Sequence, residues 1–478
     1  MVGITAFGGY VPRLRLARKA IVAAHVWADP GLKGKARGER SMCNWDEDAV
    51  TMGVEAARNC LASTSVSPEA ILFASTSAPF ADRQNAGIIS TALSLGEDIA
   101  SVDVGASQRA GVTALIQGMA AVQSGIYQSA LVVAADKRRT KAASPGELAF
   151  GDGAAAVTIG NGEVLLEFVA AHSATVDFVD HFRGSDAEHD YAWEERWIRD
   201  EGYMKIVPRA LEAVLKAAGA KPESVTHFCM PCTLSRVVPA IAKRAGIAEN
   251  AVRDTLGTVC GDTGAAHPLV LLVHALQDAK PGERILVASF GQGCDALLFE
   301  VTDAITQLPA RSGVKGALAR RKEEANYAKF LAFNDHVVLE RGMRSETDKA
   351  TPLSTLYRNR DMVTGLVGGK CRACGTMQFP SGRYCVNPKC NALDSQEPRP
   401  FSDVPASVMS YTADSLTYSP NPPHYYGMVQ FEGGGRMMAD FTDVDAVEVG
   451  MPMRMMFRIK ETDPARGFVR YFWKAAPA

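Results

Sequence analysis

Four cysteines near the C-terminal end of the sequence have the spacing of a metal site. Cys371, Cys374, Cys385 and Cys390 form the pattern C-x2-C-x10-C-x4-C in "CRACGTMQFPSGRYCVNPKC". Two pairs of thiolates joined by a turn can surround Zn²⁺ as a tetrahedron, and four protein ligands leave no open coordination position. We therefore predict a structural Zn²⁺. The alternative is a pair of disulfides, which a reducing compartment disfavours.

A second segment has the pattern of a reactive turn. "DVGASQRAG", residues 103–111, lies between an apolar run of strand length and a helix-like segment of small residues. A helix N-terminus favours negative charge and stabilises a thiolate placed there. This turn carries Ser107, Gln108 and Arg109, and no cysteine. A serine needs its own base to act as a nucleophile, whereas a glutamine amide can only form hydrogen bonds.

Over residues 1–305, short apolar runs alternate with longer helix-like segments, and these are the elements that must position the reactive turn. That alternation predicts an α/β domain with largely parallel strands. A weak internal repeat divides it into two halves, and the short strands after the cysteine cluster predict a small β-barrel. The predicted domains are two halves at 1–165 and 166–305, a helical linker at 306–354, a zinc ribbon at 355–399 and a barrel at 400–478.

Composition limits the partners of the protein. The 478 residues include 51 basic and 53 acidic side chains, for a net charge of −2. This balance gives no electrostatic reason to expect nucleic acid or an anionic membrane as a partner. The N-terminus lacks the pattern of a signal peptide, and no apolar run reaches the ~18 residues of a membrane helix. We expect a cytoplasmic protein.

The sequence resembles two known families in succession. The segments "GERSMCNWDEDAVTMGVEAA", "DVGASQRAGVTAL", "GDGAAAV", "CGDTGAAHPLVLL" and "FGQGCDALLFEV" occur in the order found in the thiolase superfamily. The nearest resemblance there is to 3-hydroxy-3-methylglutaryl-CoA synthases and ketoacyl synthases III. Residues 355–478 resemble the zinc-ribbon and OB-fold module that accompanies many thiolase-like enzymes. The resemblance implies a duplicated five-layer α-β-α-β-α domain followed by a zinc ribbon and an OB-fold barrel, and a homodimer or higher oligomer.

The resemblance also locates the positions at which the family carries its reactive groups. The position of the family's nucleophilic cysteine corresponds to Gln108 in this sequence, and that of its histidine to Cys229 or Pro231. The position of the family's asparagine corresponds to Asp262, and that of its general base to Ser77. None of these residues is the one the family uses. The polar residues that remain as catalytic candidates are Gln108, Asp262, Ser107, Cys229, His267 and Cys294. The two cysteines are equally well explained as small core residues, and His267 as a hydrogen-bonded residue of a helix turn.

Two further groups are candidates for binding. The insert from His172 to Lys205 corresponds to the substrate mouth of the resembled synthases, which makes His181, Arg183, Tyr191 and Tyr203 predicted substrate contacts. A solvated flap or a dimer contact is an equal alternative for the insert. Basic side chains suited to the phosphates of coenzyme A are Lys137, Arg138, Arg40 and Lys243. A solvated face is the alternative for the basic residues.

These observations favour an enzyme that acts on an acyl-CoA. The first hypothesis is aldol or retro-aldol chemistry on a CoA thioester without a cysteine acyl-enzyme, because such chemistry needs a base and an oxyanion site but no nucleophile. The second is a Claisen-type acyltransferase whose nucleophile is displaced to Ser107, Cys229 or Cys294. The third is a non-catalytic acyl-CoA-binding scaffold. Coenzyme A is the substrate carrier in the two enzymatic cases.

Overall fold

The structure is a computed structural model that describes residues 1–62, 64, 66–309, 311–346 and 352–478. Residues 310 and 347–351, which belong to the predicted linker, lie outside the described residues. The chain divides into two compact units. The first comprises Met1–Asn44, Asp48–Ala86 and Glu97–Val337, and the second Trp45–Glu47, Gly87–Gly96 and Val338–Ala478.

The first unit alternates strands and helices. Its strands are β1 (Val2–Tyr10), β2 (Leu14–Ala17), β3 (Glu39–Met42), β4 (Ala70–Ala74), β5 (Ala100–Val104), β6 (Ser129–Lys137), β7 (Asp152–Asn161), β8 (Leu166–Thr175), β9 (His181–Phe182), β10 (Tyr191–Ala192), β11 (His227–Cys229), β12 (Arg284–Phe290), β13 (Gly293–Val301) and β14 (Lys322–Glu324). Its helices are α1 (Arg18–His25), α2 (Ala49–Leu61), α3 (Asn85–Ala92, which ends in the second unit), α4 (Ala110–Gln123), α5 (Pro145–Ala149), α6 (Glu195–Trp197), α7 (Met204–Ala217), α8 (Val237–Arg244), α9 (His267–Leu276), α10 (Gly313–Ala319) and α11 (Tyr327–Phe333). A π-helical segment (Ile198–Tyr203) joins α6 to α7, and short 3₁₀ turns lie at Pro30–Lys35, Pro222–Ser224, Glu249–Ala251, Gly264–Ala266 and Asp303–Gln307.

Within the described residues, the main sheet has nine strands in the order β11-β12-β13-β8-β1-β7-β6-β4-β5. Strand pairs at its two ends are parallel, and those between β12 and β6 are antiparallel. The expectation of largely parallel strands is therefore wrong for the middle of the sheet. The connection from β12 to β13 is only Gly291 and Gln292, which is too short for the crossover that a parallel pair requires.

The sheet forms two halves that meet where β1 pairs with β8 over two residues on each strand. Helices α4 and α9 pack against both halves in one apolar core, which includes Leu297 and Phe299 of β13. Alternate residues of β13, Ala296 and Leu298, face a second core with α7 and α8. Helix α2 packs on β1, β6 and β7. This confirms the predicted five-layer α-β-α-β-α arrangement, because each half-sheet buries both faces against helices.

One close approach fixes the start of α4. A side chain at Gly111 would place its Cβ 2.2 Å from the carbonyl oxygen of Ala265. Only glycine therefore allows α4 to lie against the turn at Gly264–Ala266. At the end of the sheet β5 has no second neighbour among the described strands, and Val102 on it is 50% exposed. The homodimer or higher oligomer implied by the resemblance stays a prediction.

The second unit is built mainly from antiparallel strands. These are β15 (Val367–Cys371), β16 (Met377–Gln378), β17 (Gln396–Pro400), β18 (Ala406–Asp414), β19 (His424–Phe431), β20 (Arg436–Asp440), β21 (Pro452–Asp463) and β22 (Phe468–Pro477); its helices are α12 (Leu353–Arg358) and α13 (Arg360–Val363), with a 3₁₀ turn at Met343–Ser345. A small sheet has the order β16-β15-β17, and a larger one β20-β19-β18-β21-β22. A bridge between Phe441 and Ala475 joins the two ends of the larger sheet into the predicted barrel. In the described part of the chain, no helix is both long enough and apolar enough to cross a membrane.

Candidate active site

The turn between β5 and α4 holds the Ser107 hydroxyl in two hydrogen bonds. The Ser107 hydroxyl donates to the carbonyl oxygen of Gly291 at 3.0 Å and accepts from the backbone N–H of Arg109 at 3.3 Å. A side chain at Gly291 would come within 3.0 Å of that hydroxyl. Arg109 fixes the other side of the turn through an ion pair with Asp295 at 2.7 Å. The Ser107 hydroxyl therefore both donates and accepts a hydrogen bond with backbone groups of the protein.

Gln108 presents its amide beside two other polar side chains. The amide nitrogen lies 3.4 Å from the Thr76 hydroxyl and 3.5 Å from Nε2 of His181. Thr76 donates its own proton to Asp136 at 2.9 Å, so its oxygen must accept from the Gln108 amide nitrogen. The buried Oε1 of Gln108 accepts no hydrogen bond from the described residues. The amide thus keeps an unused acceptor at the turn where the resemblance places a nucleophile.

Asp136, at the end of β6, organises the loop that carries Thr76. Its side chain is fully buried and accepts hydrogen bonds from the hydroxyls of Ser75, Thr76 and Ser77 at 2.9 Å each. The backbone N–H groups of Thr76 and Ala265 donate to it at 2.7 Å. Ser77, at the position that corresponds to the family's general base, bonds to Asp136, and its neighbour Thr76 is the residue that contacts Gln108. Sequence reasoning gave no role to Thr76 or Asp136.

The insert brings an Asp–His pair to the same place. Strands β9 and β10 form a hairpin, and His181 at its start contacts Asp180 through Nδ1 at 2.9 Å. The other oxygen of Asp180 accepts from the side-chain amide of Gln292 at 3.3 Å. Asp180 is another residue that sequence reasoning missed. The available signal was its place directly before a histidine that we had predicted to contact substrate.

An ion-pair network anchors this hairpin to the core. Asp190 accepts from Arg138 at 2.7 Å and from Arg183 at 2.8 Å. Arg183 also donates to the carbonyl oxygen of Thr76. The guanidinium of Arg138 lies 3.6 Å from the centre of the Phe150 ring. Because two cations share one carboxylate at the base of the hairpin, the insert is tied to β6 and to the Thr76 loop.

Tyr203 has Asp180 and Asp262 as electrostatic neighbours. Burial raises the pKa of Tyr203 well above its usual value, and the neighbouring Cys232, Asp262 and Asp180 raise it further. Its ring packs 4.2 Å from that of Phe290. One oxygen of the Asp262 carboxylate accepts from the backbone N–H of Gly264 at 2.8 Å. Tyr203 therefore stays a neutral phenol at ordinary pH.

The remaining catalytic candidates are part of the core. Cys229 and Cys294 are fully buried, and burial raises the pKa of both thiols to about 12. His267 is 1% exposed, and both of its ring nitrogens are engaged. Its Nδ1 accepts from the backbone N–H of Thr263 at 3.0 Å, and its Nε2 lies 2.8 Å from the carbonyl oxygen of Thr255. The two thiols have no exposed surface, and both nitrogens of the His267 ring have partners within the core.

The predicted binding residues have different surroundings. Arg40 is 1% exposed, pairs with Asp152 at 3.6 Å and packs on Phe330. The structure therefore gives no support to phosphate contacts by Arg40, nor by Arg138 in its pair with Asp190. The other predicted contacts reach the surface to different degrees: Lys243 is exposed on α8, Lys137 is half-buried at the end of β6, and Tyr191 is 55% exposed on the hairpin.

The four spaced cysteines of the second unit converge. Their sulfur atoms all lie within 4.8 Å of one another, with Cys374 and Cys385 at 3.5 Å and Cys371 and Cys390 at 3.9 Å. All four are free thiols. The hydroxyl of Ser395 lies 3.2 Å from the sulfur of Cys371, and that of Thr376 lies 3.2 Å from the sulfur of Cys374. The hydrogen bond with Thr376 lowers the pKa of Cys374 to about 6.

Comparison with known proteins identifies the class of this architecture. Residues 215–300 match the family model "3-Oxoacyl-[acyl-carrier-protein (ACP)] synthase III C terminal", and residues 399–458 match "ChsH2, C-terminal OB-fold domain". The fold is similar to MvaS in complex with 3-hydroxy-3-methylglutaryl coenzyme A, with a TM-score of 0.60 and 18% identity over 70% of this chain and 91% of that chain. It is also similar to FabH of Pseudomonas aeruginosa, with a TM-score of 0.57 and 19% identity over 63% of this chain and 98% of that chain. The protein therefore has a thiolase-like α/β fold joined to an OB-fold domain.

Curated relatives show the family. The hydroxymethylglutaryl-CoA synthase of Archaeoglobus fulgidus is 30% identical over 340 residues, which are 69% of this chain and 98% of the relative. That of Methanocaldococcus jannaschii is 29% identical over 346 residues, 70% of this chain and 99% of the relative. The chain belongs to the hydroxymethylglutaryl-CoA synthase family, a family of enzymes.

Proposed function

We propose that this protein makes or breaks a carbon–carbon bond in a CoA thioester by aldol or retro-aldol chemistry, without a cysteine acyl-enzyme. The observation that carries the proposal is the amide of Gln108 at the turn between β5 and α4. Family membership supports a CoA thioester as the substrate. The buried Cys229 and Cys294, with a pKa of about 12 each, support a mechanism that needs no thiolate.

Aldol chemistry suits the groups around Gln108. Cleavage of a 3-hydroxyacyl-CoA needs a base for the hydroxyl proton and donors for the enolate oxygen of the thioester. The side-chain amide of Gln108 offers N–H donors at this turn, and the proton of the adjacent Thr76 hydroxyl is held by Asp136. Both Lys137 and Lys243 remain proposed contacts for the phosphates of coenzyme A, because neither is buried.

We also propose that the cysteine cluster binds one Zn²⁺ with a structural role. With Zn–S distances of ~2.3 Å, the edges of a tetrahedron of sulfur atoms are about 3.8 Å long. The Cys374–Cys385 and Cys371–Cys390 separations of 3.5 and 3.9 Å fit that value. Four thiolate ligands leave the metal no coordination position for a substrate. The metal would therefore stabilise the fold of the second unit and take no part in the reaction.

The test of the mechanism is the mass of the intact chain during turnover. The full-length protein is incubated with a panel of acyl-CoAs and 3-hydroxyacyl-CoAs, quenched and weighed. We expect cleavage or condensation products without a covalent adduct. Gln108→Ala should slow turnover on the order of 10²-fold, the usual effect of losing one donor to an oxyanion.

Ser107→Ala is the matched control at the neighbouring position. Its hydroxyl bonds to the Gly291 carbonyl, so its loss should change turnover by only a few fold. An acyl adduct on Ser107, Cys229 or Cys294 with a substrate that turns over would instead establish the acyltransferase. Binding of acyl-CoAs with no turnover of any member of the panel would establish the scaffold.

A further inference from the structure

The hairpin of the insert carries a proton-transfer group that the family resemblance does not provide. We infer that His181 is the catalytic base of the site and that Asp180 is its positioning residue. This inference rests on the proposed function, since it names the group that moves the proton in the aldol step.

The hydrogen-bond partners of His181 define the tautomer of its neutral ring. Its Nδ1 lies 2.9 Å from a carboxylate oxygen of Asp180, which can only accept, so Nδ1 carries the ring proton. Its Nε2 faces the amide nitrogen of Gln108 at 3.5 Å. An amide nitrogen can only donate, so Nε2 is the unprotonated nitrogen. The arrangement therefore presents a basic nitrogen next to the turn that in the resembled enzymes holds the nucleophile.

Asp180 is itself held in place on both sides. The residue is 9% exposed, and its second oxygen accepts from Gln292 at 3.3 Å. Gln292 has a φ of 49°, a left-handed conformation that non-glycine residues rarely adopt. The backbone N–H of Trp193 donates to the carbonyl oxygen of Asp180 at 2.9 Å. A carboxylate fixed in this way orients the imidazole and stabilises it when it becomes protonated.

His181 also has the access that a base requires. Its side chain is 17% exposed, so it is neither sealed in the core nor freely solvated. Two other histidines of the first unit are differently placed. His227 pairs with Glu283 at 2.8 Å, and both nitrogens of His267 are bonded to its own turn and to Thr255. Of these three, His181 alone has a nitrogen directed at Gln108.

The chemical step balances with these groups alone. In the cleavage direction, Nε2 of His181 takes the proton of the 3-hydroxyl group, and the C–O bond becomes a carbonyl. The bond between C2 and C3 breaks, and its electron pair forms the enolate of the thioester. The protonated imidazole then returns the proton to C2. The products are a carbonyl compound and a shorter acyl-CoA, and the reverse sequence is the aldol addition.

The experiment measures enolate formation separately from carbon–carbon cleavage. Full-length protein is incubated in D₂O with acetyl-, propionyl- and hexanoyl-CoA, and exchange at C2 is followed by mass spectrometry. The same protein is assayed for cleavage of 3-hydroxybutyryl- and 3-hydroxy-3-methylglutaryl-CoA. His181→Ala should lower kcat for exchange and cleavage by about 10²- to 10⁴-fold, the range for loss of a general base. Added imidazole should restore part of that loss.

Asp180→Asn tests the positioning role. Asparagine keeps the size of the side chain but can donate to Nδ1, which favours the tautomer whose Nε2 carries the proton. We expect kcat to fall on the order of 10²-fold or more with little change in KM. His189→Gln is the control on the same hairpin, because His189 stacks on His336 and not on Gln108; it should retain full activity.

The outcomes separate this inference from the proposed function. Wild-type exchange or cleavage that persists in His181→Ala would overturn the role of His181 and leave the aldol proposal standing. An Asp180→Asn variant with an unchanged kcat would overturn the role of Asp180. A wild-type protein that neither exchanges nor cleaves any of these substrates would overturn the proposed function, and this inference with it.

Discussion

The two units of this protein use cysteine in opposite ways. In the second unit, four sulfur atoms lie within 4.8 Å of one another, and the hydroxyls of Ser395 and Thr376 lie 3.2 Å from two of them. In the first unit, Cys229 and Cys294 have no exposed surface, and burial raises the pKa of each thiol to about 12. The same side chain is poised as a metal ligand in one unit and kept as a small apolar group in the other.

This difference shows that the surroundings of a cysteine decide its chemistry. A thiolate is stable where hydrogen-bond donors or a metal balance its charge, and unstable where only apolar groups surround it. At the turn where a thiolate would be favoured, the first unit has Gln108. Cys229 and Cys294, by contrast, have no exposed surface.

The largest expected effect comes from removing the metal site. Cys374→Ser should lose the ion, whereas native protein should contain about one zinc per chain by elemental analysis. Structural zinc sites contribute roughly 10–16 kcal/mol of apparent binding free energy, so the zinc ribbon should unfold when the ion is lost. Cys294→Ala is the control and should keep its zinc. Zinc-free folded native protein, or disulfides among the four cysteines, would contradict the prediction.

A smaller effect is expected from moving a thiol to the turn. With a pKa of about 12, Cys229 and Cys294 are ionised to only about 10⁻⁴ at pH 8. In Gln108→Cys the new thiol lies at the start of α4, where the helix dipole favours the thiolate. We expect iodoacetamide to alkylate it on the order of 10²-fold faster than either core cysteine. Peptide mass spectrometry over time measures the alkylation rates. Equal rates at Cys229 and at the new thiol would contradict this prediction.

The smallest effect is expected at a core cysteine. Cys229→Ala should lower the free energy of unfolding by about 1 kcal/mol, as is typical of a small loss of core packing. Turnover should change by less than about 2-fold, because the thiol is not used. Urea denaturation and steady-state kinetics measure the two effects. Loss of turnover with unchanged stability would assign Cys229 a chemical role and favour the acyltransferase.

Much of the fold could be predicted because its signals are local. Alternating apolar runs indicated the α/β domain, and the order of the glycine-rich segments indicated the thiolase-like layers. The cysteine spacing indicated one cluster, and the structure brings those four sulfur atoms together. The mixed direction of the sheet was missed, because the apolar run of a fully buried strand is the same in a parallel and an antiparallel pair.

The site itself was predicted less completely. The sequence drew attention to Gln108 and His181, but it did not show that they meet at 3.5 Å. It gave no role to Thr76, which faces Gln108, because the direction of a side chain in a loop depends on what that loop contacts. It also assigned Arg40 and Arg138 to coenzyme A. Their carboxylate partners, Asp152 and Asp190, are more than fifty residues away in the chain.

The sequence by itself determined the order of the elements, the absence of a cysteine at the turn between β5 and α4, and the four closely spaced cysteines of the second unit. Each of these features depends only on which residue types stand close together in the sequence, so it can be predicted without the tertiary structure. Tertiary structure alone decided which polar groups share the site. Asp180 and His181 come from the insert, Gln108 from the turn between β5 and α4, and Gln292 from the connection between β12 and β13. These groups meet because the buried hydrogen bonds and ion pairs of Asp136 and Asp190 hold separate loops together, and no local pattern encodes that contact.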